Sequence, residues 1–104
     1  MGETYSSYKP IEVAVVTATT NDPYCVATAY SGSTKLLHRA HFMSIVTDQT
    51  ITIKFDTTSG DPITVKAADG IVRFENLNIR NVFITNASGS TANIRMVFIG
   101  VEKQ

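Results

Sequence analysis

A chain of 104 residues, 43% of them hydrophobic, is sized for one domain with one modest core. Nine Lys and Arg balance nine Asp and Glu without a basic stripe, so the footprint of a general nucleic-acid binder is missing and no nucleic-acid partner is expected. The longest apolar run falls far short of a membrane span, so no membrane partner is expected either, and the single cysteine, Cys25, excludes an internal disulfide.

The chain begins "MGETYSSYKP", with no basic stretch leading into an apolar one, and reads as lacking a signal peptide. Gly2 and Ser6 fit a loose myristoylation pattern, for which an initiator Met before a small residue is the plainer reading. Residues 1–10 show no periodicity and are expected to form an N-terminal arm ahead of a single domain, 11–104. In that arm Tyr5 and Tyr8 are candidate anchors against a neighbouring subunit, because tyrosine offers large area at low entropy cost; a frayed terminus is the alternative.

From there turn clusters recur, "TTNDP", "SGSTK", "TDQT", "TTSGDP", "ADG" and "NASGSTA", with Val, Ile, Thr, Phe and Tyr between them. The spacing predicts strands near 11–18, 24–30, 36–46, 51–56, 63–67, 71–75, 79–86 and 93–102. The fold expected is all-β: a two-sheet β-sandwich, jelly-roll-like, of about eight short antiparallel strands. "ITIKFD" alternates most clearly, with Ile51, Ile53 and Phe55 on one side, and "ITVK" repeats it with Ile63 and Val65 inward. "LLHRAHFMSIV" reads as a strand, although Leu36, Ala40 and Met43 also share a helical face.

Few residues suggest site chemistry. His38 and His41, three apart, point to opposite faces of a strand and cannot share a metal there, and Asp48 is the nearest further ligand. Cys25 has no partnered histidine nearby in sequence and reads as a small core hydrophobe. Asp56, Asp61 and Asp69 sit in adjacent loops where calcium is conceivable, yet turn chemistry accounts for each. "NAS" at 86–88 matches a glycosylation triplet, with Asn86 starting a turn. Tyr24 and Tyr30 are the candidate rings for a sugar platform, and there is no tryptophan. No metal, cofactor or enzymatic activity is expected.

The end of the chain raises a different question. In "NVFITNASGSTANIRMVFIGVE" the turn is expected to join two paired strands as a hairpin, with Gly89 free to take positive φ. Both arms are apolar on two faces: Val82 and Ile84 oppose Phe83, and Val97, Ile99 and Val101 oppose Met96 and Phe98. One face fills the core. Leaving the other in water forgoes roughly 1.5–3 kcal/mol per branched side chain, so a homo-oligomer contact is expected at Val97, Ile99, Val101, Val82 and Ile84, with Tyr5 and Tyr8; the N-terminal arm or a long loop folded over the row is the alternative.

The segment "I-x-N-V-F-I-T-N-x-S-G-S-T-A-N-I-R-M-V-F-I-G" resembles the closing hairpin of many small bacteriophage virion proteins, among them head-decoration (cement) proteins with β-sandwich or jelly-roll domains. The resemblance covers about the last third of the chain and includes no catalytic motif. It implies a structural subunit of the virion, assembled in the host cytoplasm, often a trimer, that binds the major capsid protein or another virion protein in many copies. Tail or neck placement, and a ligand- or glycan-binding sandwich such as a receptor-recognition tip, are the alternatives.

Overall fold

Alternation along the chain becomes eight strands, each turning one row of side chains inward. The computed structural model describes residues 7–102. They form β1 (Ser7–Val15), β2 (Thr19–Cys25), β3 (Leu37–Thr47), β4 (Ile51–Phe55), β5 (Ile63–Val65), a 3-10 turn (Ala67–Asp69), β6 (Val72–Phe74), β7 (Asn81–Asn86) and β8 (Ala92–Glu102). Four antiparallel pairings are nested from the ends of the chain to its middle: β1 with β8, β2 with β7, β3 with β6, β4 with β5. Rolling that long double ribbon adds the pairs β3–β8 and β4–β7. The result is two four-stranded sheets, β1-β8-β3-β6 and β2-β7-β4-β5, in the strand order of a jelly roll.

The core lies between the sheets. Ile11, Val15, Met43, Ile45, Ile94, Met96 and Phe98 project from the first sheet, and Ile51, Ile53, Val65, Val82 and Ile84 meet them from the second. Phe55 of β4 and Phe74 of β6 close one side as an edge-to-face pair with centroids 5.4 Å apart.

Three expectations from the sequence change here, and one ambiguous segment resolves as expected. The first strand starts at Ser7, so Ser7–Pro10 belong to the sheet rather than to an arm. The period-two row Lys9, Ile11, Val13, Val15 explains this, with the lysine continuing the inward apolar row. "TTNDP" lies inside β2, and the segment expected as strand 24–30 is largely loop. An edge strand tolerates such residues: a register shift between Thr19 and Asp22 absorbs Asn21 at φ 49°, and Pro23 costs no ladder bond when it faces the open edge. Residues 37–47 are strand, as expected, and their helical look has a cause. Two register shifts, at Leu37/Arg39 and Ala40/Phe42, bring Leu37, Ala40 and Met43 inward at a spacing of three. Gly100 fits beside this irregularity because a Cβ there would run into the Arg39 carbonyl oxygen and the Ala40 backbone.

The last change concerns the closing segment. β7 and β8 do not pair with each other: β7 lies between β2 and β4, β8 between β1 and β3. The turn is an arch from one sheet to the other. Asn86 holds it, fully buried, donating from Nδ2 to the carbonyls of Val15 at 2.8 Å and Ser90 at 2.9 Å and accepting from the Ser88 amide at 3.0 Å. Gly89 takes φ 91°. Crossing between sheets makes the inner rows of the two strands face one another through the core.

Candidate functional site

β8 is the centre of the site because it is flanked on both sides and apolar on both faces. Its inner row, Ile94, Met96 and Phe98, is buried, while Val97, Ile99 and Val101 are half-buried on the outer face of the β1-β8-β3-β6 sheet. Register builds the patch outward from that row. Ile99 lies between Tyr8 of β1 and Phe42 of β3, Val97 between Pro10 and Ser44, and Val101 beside Arg39. Tyr8 is 63% exposed. All eight strands belong to the two sheets, so among the described residues no third layer lies over the row.

The other outer face differs in chemistry. Val82 and Ile84 are fully buried in the core and cannot touch another subunit, which corrects their expected place at an interface. The residues of β7 that look outward are Asn81, Phe83 and Thr85, and their neighbours across the sheet include Thr52 and Lys54. Of the remaining candidates, Tyr8 stands on β1 beside Ile99, and Tyr5 lies outside the described residues.

Beyond the apolar row the same outer face becomes polar. An open depression of about 480 Å³ is lined by Glu12, Val46, Asp48, Asn93 and Arg95 among others. Arg95 Nε donates to Glu12 at 2.7 Å across β1–β8, with both side chains 67% exposed, so the pair contributes little to stability. Asp48 accepts from the backbone amide of Asn93 at 2.7 Å and from its Nδ2 at 2.8 Å. Those two bonds hold its carboxyl below the usual carboxylate range.

The strand that carries Tyr8 and Pro10 is fixed from beneath by Lys9. Its side chain is completely buried, and Nζ donates to the carbonyls of Ser33 at 3.0 Å and Lys35 at 2.6 Å while lying 5.5 Å from the Tyr30 ring centroid. Among the described residues no carboxylate forms an ion pair with it, and burial pushes its ammonium below the usual lysine range. Sequence reasoning missed this residue; the signal available was its place in the inward row with Ile11.

The other candidates are dispersed. His38 is exposed on β3, and His41 Nδ1 lies 3.0 Å from the Leu77 carbonyl oxygen. Asp56 accepts from the amides of Arg80 and Asn81, each at 2.8 Å, and Asp69 accepts from the Lys66 amide, whereas Asp61 is exposed in its loop. Among the described residues no three His, Cys, Asp or Glu side chains gather as a metal would require. Cys25 is a half-buried free thiol whose amide donates to the Tyr30 hydroxyl at 2.8 Å. Tyr24 is buried, donates to Asp22 at 2.6 Å, and is held protonated well above the usual tyrosine range by burial and then by that carboxylate. Tyr30 packs against Tyr24 and under Lys9, so neither ring forms an exposed sugar platform. Among the described residues no helix is long and apolar enough to cross a membrane.

No family model, curated protein or solved structure matches the chain.

Proposed function

We propose that this protein is a non-enzymatic structural subunit that works by assembly, using the outer face of the β1-β8-β3-β6 sheet as its contact. The observation that carries this reading is the row Val97, Ile99, Val101, widened by Tyr8 and Pro10, over which no third sheet lies among the described residues. A continuous apolar strip of this kind gains free energy once a second surface removes it from water. Its polar end, with Glu12, Arg95 and Asp48, supplies the rim that fixes register.

The resemblance of the closing segment to small phage virion proteins supports the reading of this subunit as a capsid decoration protein. It would form a homotrimer that binds the major capsid protein. A tail or neck position uses the same face. Repetition over a lattice turns modest contacts into firm attachment, because each engaged contact raises the effective concentration of the next. The direct test is addition of purified protein to undecorated phage heads, followed by sedimentation. Wild type should bind in many copies per shell, and Ile99→Asp should remain in the supernatant. Equal binding by the two proteins would exclude this face as the contact.

A further inference from the structure

The corner between β1 and β2 conflicts with its own sequence. Three residues, Val16, Thr17 and Ala18, make the reversal, and none is Gly, Pro, Asn or Asp. "VVTATT" is β-branched at five of its six positions and has strand propensity throughout, which is why a strand is expected to run through to residue 18. Ala18 nonetheless sits at φ 63°, left-handed backbone that a side chain disfavours, and Val16 is 62% exposed. Local preference favours an extended chain, and only the closed fold imposes the bend.

We propose that β1 is an exchangeable strand, which a second copy of this chain accepts against its own β8. β1 is an edge strand whose partner is β8, in continuous register from Ser7↔Gly100 to Val15↔Ala92. The pairing joins the two ends of the described chain, so it closes the longest loop in the fold, and another copy's β8 competes for it. The inward side chains Lys9, Ile11 and Val15 would bury equally well in the partner, with the Asn86 bond to the Val15 carbonyl remade there. Opening the corner releases the Ala18 backbone and lets residues 16–18 extend. What it gives up is local: the Thr19 hydroxyl bond to the Val16 carbonyl at 2.7 Å and the Gly89 amide bond to the Thr17 hydroxyl at 3.0 Å. Exchange conserves the other contacts, which makes it a low-cost route to a dimer. This inference does not depend on the outer face of β8.

The test is a chain-tracing crosslink. Glu12 and Arg95 are register partners on the exposed face, so Glu12→Cys with Arg95→Cys, in a Cys25→Ser background, reports which chain's β1 lies on which β8. The three hinges compared are Ala18, Ala18→Gly and Ala18→Val, each refolded at high and low concentration, oxidised and run on a non-reducing gel. Exchange predicts chain-to-chain links that increase with concentration and in the order Gly, Ala, Val. Removing the left-handed penalty should change the linked-dimer fraction by about tenfold or more between Gly and Val. Face-to-face association alone gives only links within one chain. Links confined to single chains with all three hinges would overturn the proposal. Light scattering of the same hinges without the added cysteines provides a second readout, and identical mass for Ala18→Gly and Ala18 at every concentration would overturn it as well.

Discussion

The two sheets share one core and present opposite outer faces. On β8 the row Val97, Ile99 and Val101 looks outward from the centre of its sheet, flanked by Tyr8, Pro10 and Phe42. On the other sheet the positions equivalent by alternation carry Thr52, Lys54, Asn81 and Thr85 around Phe83, with Pro23 and Cys25 of β2 beside it. Both sheets contribute equally apolar inner rows, so core formation does not explain the difference. An apolar outer row on only one of two sheets is a property of the surface, and it is the feature on which the proposed assembly rests.

The strongest way to break this comparison is to exchange an outer residue for an inner one. Ile84→Asp places a carboxylate at a fully buried site in the core, which should cost more than 4 kcal/mol and leave no cooperative melting transition. A folded, oligomeric Ile84→Asp protein would mean that the inner and outer rows are misassigned.

Next in size is the support beneath the patch. Lys9→Ala removes a buried side chain and leaves the carbonyls of Ser33 and Lys35 without their donor, so melting curves should show a loss of about 2–4 kcal/mol. Lys9→Met, which keeps the volume, should recover part of that loss. Burial lowers the folded-state lysine value below its ordinary 10.5, so in the alkaline window just below 10.5 the unfolded chain holds more protons and this group raises stability with pH. In Lys9→Met that contribution should vanish.

A smaller effect lies at the polar end of the face. The Asp48 carboxyl is depressed below its ordinary 3.8 by its two bonds from Asn93, so its stabilising contribution is complete above 3.8 and lost as pH falls through the folded value. Asp48→Asn should flatten the acid limb of the stability profile and leave the profile near neutrality almost unchanged. An unchanged acid limb would show that those bonds do not persist in solution.

Much of this was legible in the residues. Period-two rows in "ITIKFD" and "MVFIGVE" identify inner and outer faces because a strand has only two, and the two-faced character of β8 needs no coordinates to be seen. Pairing partners were less legible. "NASGSTA" has the composition of a hairpin turn, yet here it bridges two sheets, because turn chemistry specifies a reversal and not which ladder each arm joins. That choice is settled by distant contacts, chiefly Asn86 with the carbonyl of Val15, 71 residues away along the chain. The same limit hid Lys9: a lysine reads as solvent-facing until two loop carbonyls and a tyrosine ring are brought over it. It hid the bulges of β3 as well, whose shifts of phase imitate a helical face.

The measurement closest to the central claim compares Ile99→Asp with Thr52→Asp, one substitution on each outer face, by light scattering and thermal melting over a range of concentrations. Wild type should be oligomeric. Ile99→Asp should be a folded monomer, because an unpaired carboxylate buried at the contact costs several kcal/mol of association. Thr52→Asp should keep both the wild-type mass and, within about 0.5 kcal/mol, the wild-type stability. A wild type that stays monomeric at high concentration, or an Ile99→Asp protein that assembles as well as Thr52→Asp, would contradict the account.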